Sequence, residues 1–411
     1  MRDFDPVLEA EFFRLFEEYY NLETDASKQH DPENYSLERM YPLAELAGRP
    51  ERRLKVVHIA GTKGKGTTST FVMSLLNAAG HRAGLFTSPH VSTVRERFQE
   101  DGNLVSYERL LEAGRSLVAS VRAAGLHPSL FELFTVLALR LFADDGMEYA
   151  VMETGIGGRL DATNYVPAPE ICIITPVSFD HVALLGNTIE KIASEKAGII
   201  KPGVPVVLSK QPYPQAETVV RERAGALRAQ VLFPSRNVPD LLPPGTPVFL
   251  RENFASAWAA VSALGLRVDT AKFQMPTLRA RFEKIHDDPL VMLDGAHNAD
   301  SMQKLVDSLR SGFPGTHWCV VLGCVKGKDI HGIVEALAHL PHADFVLVNP
   351  RTPKKSALTE LEQEVRAARL HVLEVIPDLR ELTQLPAGRP LLFTGSFFTA
   401  TIGGELFHPR A

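Results

Sequence analysis

The chain has 411 residues, of which 45% are hydrophobic and 23% charged, and its formal net charge is −5. This length exceeds one ordinary core, so two domains are expected. The spread of Lys and Arg through the chain argues against a nucleic-acid binder, which usually carries a basic patch. No apolar stretch approaches the roughly 20 residues that span a bilayer.

The first 20 residues place apolar side chains at helical spacing among Asp, Glu and Arg, which predicts an amphipathic helix instead of a secretory signal. The apolar positions are Leu8, Phe12, Leu15, Phe16 and Tyr19. The three cysteines lie in apolar, strand-like runs and form no CxxC pair: Cys172, Cys319 and Cys324. Buried, reduced thiols are therefore expected, which fits a cytoplasmic protein.

Short apolar runs alternate with helical patterns, which is typical of a mostly parallel α/β sheet covered by helices. The first predicted strands are Val56–Ala60, Tyr149–Met152, Ile171–Thr175 and Val204–Leu208, with helices at Thr68–Ala79 and Phe134–Phe142. A proline-rich stretch follows, and then a helical pattern over Arg251–Leu264. The alternation restarts with Leu290–Leu293, Trp318–Leu322, Phe345–Val348 and Leu391–Thr394. We therefore predict two domains, residues 1–276 and 277–411.

The first strand leads directly into a turn rich in glycine and lysine, Gly61-Thr62-Lys63-Gly64-Lys65-Gly66-Thr67-Thr68, and a helix follows at once. Such a turn exposes backbone amides that wrap phosphate oxygens, and the helix N-terminus adds partial positive charge. The motif is not a strict Walker A, because only two residues separate Gly61 from Gly64. We still predict a phosphate loop in which Lys65 reaches the outer phosphates and a Thr hydroxyl faces Mg²⁺.

Two further strands end in polar motifs. One leads into Glu153 and a glycine-rich run up to Asn164, and the next leads into Asp180 and His181. Open α/β sheets bind ligands at the carboxyl ends of their strands, so Glu153 and His181 are candidate metal ligands. The glycines are expected to let the backbone approach a ligand closely. Taken singly, the run also fits a simple loop, and His181 a structural or surface histidine.

A helix capped by Asn187 or Thr188 is predicted next, and Gly198 and Pro202 end it. Its apolar face carries Ile189, Ile192, Ala193 and also Lys196. A lysine aimed inward near strand ends is unusual. The alternative is that its stem is buried while its ammonium reaches water, and the residues alone leave both open.

The ordered set of motifs resembles the bacterial folylpolyglutamate synthase and dihydrofolate synthase family, relatives of the Mur ligases. The resemblance covers nearly the whole chain. Besides the phosphate loop, it comprises Leu37-Glu38-Arg39-Met40, Thr87-Ser88-Pro89-His90, Phe131-Glu132, Glu153–Asn164, Asp180-His181 with Leu185-Gly186, Glu195-Lys196-Ala197-Gly198-Ile199, Arg281-Phe282, Asp294-Gly295-Ala296-His297-Asn298 and Thr394-Gly395-Ser396. Each motif is modest alone, and the specificity lies in their order.

The resemblance implies an N-terminal P-loop ATPase domain with a mostly parallel sheet and a smaller, Rossmann-like C-terminal α/β domain, with ATP in the cleft between them. Beyond the phosphate loop, the implied ATP contacts are Asn253, Arg281 and Asp294. The implied magnesium ligands are Ser88, Glu153 and His181. Lys196 is similar to a lysine that becomes carbamylated and approaches a second Mg²⁺. Phe131 and Asp161 match positions that hold the pterin, and the implied catalytic residues are Lys65, Glu153, His181 and Lys196.

The implied reaction adds L-glutamate to dihydropteroate, to tetrahydrofolate and its glutamate chain, or to both. ATP first converts the acceptor carboxylate to an acyl phosphate, which the glutamate amine then attacks. A bifunctional, monomeric enzyme with small-molecule substrates is expected, without nucleic-acid or membrane partners.

The chain departs from the family pattern at a few positions. Lys63 stands where Asn is usual, and Arg279-Ala280-Arg281 lacks the usual Pro-Gly, although the following Phe282 favours Arg281 as the ATP contact. Gly327-Lys328-Asp329 replaces Asp-Lys-Asp, and Lys354 and Lys355 occupy positions where an arginine is common. The latter two changes are expected to alter glutamate or ATP contacts.

Two other functions fit parts of the pattern. A Mur-type ligase for a cell-wall precursor usually has an additional N-terminal domain, and the 60 residues before Gly61 are too few for one. A P-loop switch or binding protein explains the phosphate loop but not the combination of Glu153, His181 and Lys196. Such a protein predicts nucleotide turnover that is indifferent to folates and glutamate.

Overall fold

The computed structural model describes residues 4–22, 34–235, 237–350, 356–377 and 388–407. Lys354 and Lys355 lie outside these ranges. The chain divides into two compact units. The first contains the described residues up to Leu242 together with 250–276, and the second contains 243–249 and the described residues from Thr277 onward.

An eight-stranded sheet forms the centre of the first unit, in the order β4-β3-β2-β5-β1-β6-β7-β8. Its strands are β1 Lys55–Ala60, β2 Ala83–Phe86, β3 Phe98–Glu100, β4 Asn103–Leu104, β5 Tyr149–Glu153, β6 Ile171–Ile174, β7 Val206–Leu208 and β8 Val231–Leu232. The six strands from β2 to β8 in this order run parallel, whereas β3 and β4 form an antiparallel edge. Strands β5 and β6 are buried along their whole length, as continuous apolar runs in a parallel sheet require.

Helices cover both faces of this sheet. They are α1 Pro6–Leu15, α2 Met40–Leu46, α3 Lys65–Ala78, α4 Tyr107–Ala123, α5 Leu130–Asp144, α6 Val182–Leu185, α7 Ile189–Ala197, α8 Pro214–Ala226 and α9 Val248–Ala263. One apolar core joins α1, α2, α4 and α5 to the sheet and is centred on rings such as Phe12 and Phe134. A second core packs α7 and α8 against β6 and β7.

The second unit contains a six-stranded sheet in the order β13-β12-β11-β14-β10-β9. Its strands are β9 Glu283–Asp287, β10 Leu290–Leu293, β11 Trp318–Leu322, β12 Ala343–Val348, β13 His371–Ile376 and β14 Leu391–Thr394, and only β9 is antiparallel to its neighbour. The helices are α10 Ala299–Gly312, α11 Ile330–Ala338, α12 Leu358–Ala367 and α13 Phe397–Phe407. A separate apolar core includes Trp318 and Phe345.

The predicted fold class, an α/β protein with a mostly parallel N-terminal sheet and a second α/β domain, is confirmed. Element ends differ for local reasons. Strand β7 starts at Val206, not Val204, because Gly203 with φ 73° and Pro205 hold the preceding residues in a turn. Helix α5 starts at Leu130, not Phe134, because Ser129 and Glu132 form a capping box.

The three cysteines are buried and free, as predicted. Within the part of the chain that the structure describes, no helix combines the length and the apolar character needed to cross a bilayer.

Candidate active site

The carboxyl ends of four adjacent parallel strands bring the predicted motifs of the first unit to one edge of the sheet. The strands are β2, β5, β1 and β6 in spatial order. Ser88 follows β2, Glu153 ends β5, the phosphate loop follows β1, and residues 175–181 follow β6. This edge is where open α/β sheets bind ligands.

Two glycines of the phosphate loop are required by their conformation and surroundings. Gly64 has φ 80°, and a Cβ there would lie 2.5 Å from Oδ1 of Asn253, on α9. Gly61 has φ 152°, and a Cβ there would lie 1.8 Å from Oγ1 of Thr175. The loop is therefore enclosed by α9 on one side and by the end of β6 on the other. Asn253, expected at the ATP site, lies directly against the loop.

Helix α3 begins at Lys65, three residues before the predicted start, because Gly64 adopts the left-handed conformation at its N-cap. The first-turn amides of Lys65, Gly66 and Thr67 have no intrahelical partner and are suited to an anion. The amides of Thr62 and Lys63 instead donate to the carbonyl of Pro176 at 3.0 and 3.1 Å. The amides of this loop that remain available to an anion are thus those of the helix start and not those of Thr62 and Lys63.

Thr67 and Thr68, the two hydroxyl residues at the end of the loop, are both buried. Oγ1 of Thr68 is enclosed and has no hydrogen-bond partner among the described residues. An unsatisfied buried hydroxyl is costly, so its retention beside the helix start is consistent with a ligand-binding region.

Glu153 is buried and is held from the end of β2. Its Oε2 accepts hydrogen bonds from the Thr87 hydroxyl and from the Ser88 amide, the latter at 3.2 Å. Oε1 has no hydrogen bond from any described residue. One carboxylate oxygen is therefore fixed by the protein, while the other is available to a ligand. Thr87 was not among the predicted site residues.

Lys196 lies on the buried face of α7, as its spacing predicts, and is only 3% exposed. Its Nζ donates to the carbonyl of Gly61, the first residue of the phosphate loop, at 2.9 Å. Burial, followed by the positive charge of Lys65, lowers the pKa of Lys196 to about 7. The ammonium does not reach water by snorkelling, and a substantial fraction of the amine is neutral near physiological pH.

His181 lies at the start of the short helix α6 with φ 47° and is partly exposed. Its amide donates to Oδ1 of Asp180 at 3.0 Å, and its Nε2 lies 3.9 Å from the same oxygen. The described ranges contain no group of three or more His, Cys, Asp or Glu side chains arranged to hold a metal ion. Glu153 and His181 therefore do not form a protein-only metal cage.

Asp161 is buried, and its carboxylate is satisfied by the chain itself. Oδ2 accepts from the amides of Gly155 and Ile156 at 2.8 and 2.9 Å. Oδ1 accepts from the amide and the hydroxyl of Thr163 at 3.0 and 2.6 Å. Burial raises the pKa of Asp161, and these donors oppose that shift. Asp161 therefore organises the glycine-rich loop after β5.

Phe131 lies against the same loop. A Cβ on Gly155 would be 2.7 Å from its ring, which also packs on Phe86 at a centroid distance of 5.6 Å. The next residue, Glu132, forms a two-pronged ion pair with Arg39, with a shortest distance of 2.8 Å. The structure thus brings Phe131 into contact with the loop that contains Asp161. The ion pair also joins the segment around Arg39 to the segment around Phe131.

The glycines after Glu153 approach other parts of the chain. A Cβ on Gly158 would lie 2.7 Å from the carbonyl oxygen of Glu195 and 3.0 Å from Cα of Lys196, on α7. Gly155 is similarly close to Phe131. The sequence predicts that these glycines let the backbone approach a ligand closely. In the structure, their small size allows the loop to pack on α5 and on the helix that carries Lys196.

Arg281 and Asp294 come together within the second unit. The Asp294 carboxylate accepts hydrogen bonds from the amides of Phe282 and Ala296, both at 2.8 Å. Burial raises the pKa of Asp294 to about 6, while these two hydrogen bonds and the positive charge of Arg281 lower it. The Arg281 guanidinium lies 5.6 Å from the centroid of the Phe397 ring. Asp294 thus joins the turn after β10 to the segment before β9 that carries Arg281.

Two residues near the site do not belong to any of the sequence motifs and were therefore not predicted. Gln211 follows β7 and accepts from the Val177 amide at 3.0 Å, which positions the segment after β6. His58, in the middle of β1, contacts the hydroxyl of Thr163 at 2.8 Å. Gln211 could be predicted from the end of β7, because open α/β sheets bind ligands at the carboxyl ends of their strands. An interior strand position such as His58 requires the tertiary structure.

Comparison with known proteins gives matches to two domain families. Residues 59–216 match the Mur ligase middle domain, and residues 280–397 match the glutamate ligase domain of Mur ligases. Together with the phosphate loop and the strand-end carboxylate, these matches define the protein as an ATP-dependent ligase with Mur-type domains.

Relatives that match over about three quarters of their length identify the family within this class of ligases. A Bacillus subtilis dihydrofolate synthase/folylpolyglutamate synthase is 33% identical over 75% of this chain and 79% of its own length. A Mycobacterium tuberculosis protein of the same name is 32% identical over 76% of this chain and 74% of its own. The chain belongs to the folylpolyglutamate synthase and dihydrofolate synthase family, which confirms the resemblance inferred from the motifs.

Solved structures agree with this assignment. The M. tuberculosis folylpolyglutamate synthase complexed with ADP has a TM-score of 0.82 and 28% identity, covering 98% of both chains. E. coli FolC in complex with DHPP and ADP has a TM-score of 0.83 and 25% identity, again covering 98% of both chains.

Proposed function

We propose that this ligase adds L-glutamate to dihydropteroate and to tetrahydrofolate or its polyglutamates, using ATP. The observation that carries the proposal is the similarity over most of the chain to bacterial relatives named for both activities. The geometry of the site supports it, because the phosphate loop, Glu153 and Lys196 lie at one edge of a single sheet.

The proposed reaction has two steps. An oxygen of the acceptor carboxylate attacks the γ-phosphorus of ATP, the bond to the bridging oxygen breaks, and an acyl phosphate and ADP form. The amine of L-glutamate then attacks the acyl carbon, inorganic phosphate leaves, and the amine loses a proton. Both steps develop negative charge on phosphate oxygens, which Lys65 and the first-turn amides of α3 are placed to stabilise.

The residues present fit Mg²⁺ as a cofactor. Glu153 offers one oxygen that no described residue engages, while its other oxygen is fixed by Thr87 and Ser88. Mg²⁺ prefers such a site, with one or two protein oxygens completed by water and substrate phosphates, over a cage of protein ligands. We propose that Glu153, Ser88 and His181 hold the ion, which would neutralise phosphate charge when bound.

Lys196 is proposed to be carbamylated, as the family resemblance implies. Carbon dioxide reacts with a neutral amine, and the lowered pKa of about 7 supplies that form. The amine nitrogen bonds to the carbon of carbon dioxide and a proton is released, so that a carbamate anion able to approach a second Mg²⁺ would replace the buried cation. The hydrogen bond from Nζ of Lys196 to Gly61 supports the proposal, because it holds this nitrogen beside the phosphate loop.

The remaining assignments follow the two units. Residues 1–276 are proposed to bind the phosphates and the acceptor, with Phe131 against the pterin, Asp161 shaping its loop and Asn253 contacting ATP. Residues 277–411 are proposed to contribute Arg281 and Asp294 to ATP. A cytoplasmic monomer without a nucleic-acid partner completes the proposal, and the three free, buried cysteines suit a reducing compartment.

The test is ADP release from ATP and Mg²⁺ with L-glutamate, compared without acceptor, with dihydropteroate and with tetrahydrofolate. Stimulation by both pterins is expected. Stimulation by one would restrict the enzyme to that activity. Turnover indifferent to both would refute the folate assignment and leave the Mur-type ligase and the P-loop switch as the remaining candidates.

A further inference from the structure

A buried chain of hydrogen bonds connects the middle of β1 to the loop after β5. His58 is fully buried, and its Nε2 lies 2.8 Å from Oγ1 of Thr163. That hydroxyl is in turn 2.6 Å from Oδ1 of Asp161, whose Oδ2 accepts from the amides of Gly155 and Ile156. Three side chains thus join the strand that precedes the phosphate loop to the loop that packs on Phe131.

The direction of each hydrogen bond follows from the donors available. Asp161 already accepts three backbone amides, which suits the ionised carboxylate, so the Thr163 hydroxyl donates its only proton to Asp161. Thr163 Oγ1 can then only accept from His58, and His58 must carry its proton on Nε2. Burial lowers the pKa of His58 to about 3, so the ring stays neutral and the donor stays in place across the working pH range.

Packing alone does not account for a histidine at this position. Nδ1 of His58 is enclosed and has no hydrogen-bond partner among the described residues. A buried polar atom without a partner is destabilising, and an apolar side chain of similar volume avoids that cost. The contribution that an apolar side chain could not make is that of the Nε2 proton, which holds the Thr163 oxygen while its hydroxyl donates to Asp161.

We propose that His58 is a positioning residue for the folate-type acceptor, acting through Thr163 and Asp161 on the Gly155–Ile156 backbone that packs against Phe131. The inference rests on the proposed function of this loop as the acceptor site. His58 touches no substrate. Without its donor, the Thr163 hydroxyl is held from one side only, its hydrogen bond to Asp161 weakens, and the loop becomes less well ordered before the acceptor arrives.

The experiment compares steady-state kinetics of His58→Leu, His58→Gln and Thr163→Val with wild type, using dihydropteroate and tetrahydrofolate as acceptors. Leu removes the donor at similar volume, whereas the Gln side-chain amide restores an N–H at similar reach. We expect the acceptor KM to rise on the order of tenfold in His58→Leu and Thr163→Val. The ATP KM should change less than about twofold, and His58→Gln should recover most of the loss.

A matched control is Val56→Ala, another buried position on the same face of β1 without a hydrogen-bonding side chain. Val56→Ala should lower the unfolding midpoint without changing the ratio of acceptor KM to ATP KM. The double variant His58→Leu/Thr163→Val should be no worse than either single variant, because both interrupt the same chain. Should His58→Leu fail to fold, Thr163→Val carries the same test.

Several results would overturn the proposal. One is an equal rise of both KM values, and another is a His58→Gln variant no better than His58→Leu. A wild-type enzyme stimulated by a pterin, combined with an unchanged acceptor KM in Thr163→Val, rejects the positioning role alone. A wild-type enzyme that no pterin stimulates rejects the proposed function and this inference with it.

Discussion

Replacing Lys196 by methionine is expected to stabilise the fold near neutral pH. Burial lowers the pKa of Lys196 from 10.5 to about 7. At about 1.4 kcal/mol per tenfold change in proton affinity, the charged form costs the folded state roughly 5 kcal/mol. Methionine keeps most of the side-chain volume but loses the hydrogen bond to the Gly61 carbonyl, which is worth about 1 to 2 kcal/mol. The expected net gain below pH 7 is therefore about 3 kcal/mol.

This gain has a defined pH dependence. Between about pH 7 and 10.5 the unfolded lysine still holds a proton that the folded lysine has released, so wild-type stability rises with pH. The advantage of Lys196→Met is consequently largest below pH 7 and shrinks as the pH rises. Near pH 10.5 the loss of the hydrogen bond dominates, and the variant becomes slightly less stable than wild type.

Urea unfolding in buffer depleted of carbon dioxide, at about pH 6.5, 8 and 9.5, measures this difference without carbamylation. Trp258 belongs to the same unit as Lys196, so its fluorescence in a Trp318→Phe background reports the unfolding of that unit. Lys191→Met, at an exposed lysine of the same helix, is the control and should change stability by less than about 0.5 kcal/mol. A gain equal at all three pH values, or a loss at the lowest, would refute the reasoning.

Three further outcomes are expected. Lys196→Ala should nearly abolish acyl transfer while circular dichroism shows an intact fold, and wild-type activity in a folded variant would remove Lys196 from the mechanism. Gly64→Ala should weaken binding of a non-hydrolysable ATP analogue by more than about tenfold, because its Cβ meets Asn253 and the left-handed backbone costs about 1–2 kcal/mol. Gly80→Ala is the control. With φ 88° and no neighbouring atom within 4 Å, it bears only the backbone cost and should leave binding unchanged. Glu153→Gln should raise the Mg²⁺ concentration for half-maximal turnover by about tenfold, since it removes the carboxylate charge, and an unchanged Mg²⁺ titration would contradict this role for Glu153.

The sequence predicts features that depend on local periodicity. The inward position of Lys196 follows from its spacing to Ile189 and Ile192, and the structure confirms that position. The strand-end location of Glu153 follows in the same way from a short apolar run. In both cases the residues that decide the outcome lie within two turns of helix or one strand.

Contacts between distant segments are not available from such patterns. Asn253 meets Gly64 across nearly two hundred residues, and Arg39 meets Glu132 across 93. The packing of the glycines after Glu153 is unpredictable for the same reason, because the neighbour of Gly158 is a helix more than thirty residues away. The sequence shows where a glycine lies but not which distant segment packs against it.

The close packing of Gly155 and Gly158 has a consequence for reading mutational scans of this protein. Intolerance at a run of glycines beside an active site is commonly taken as a map of ligand contacts. Here side-chain volume sets the limit, since even a methyl group collides with Phe131 or with the backbone of α7. In a scan selected for abundance instead of growth, these positions should still be depleted, whereas Lys65 and Glu153 should tolerate substitution. The two screens together would therefore separate the positions that shape the loop from those that act on the substrates.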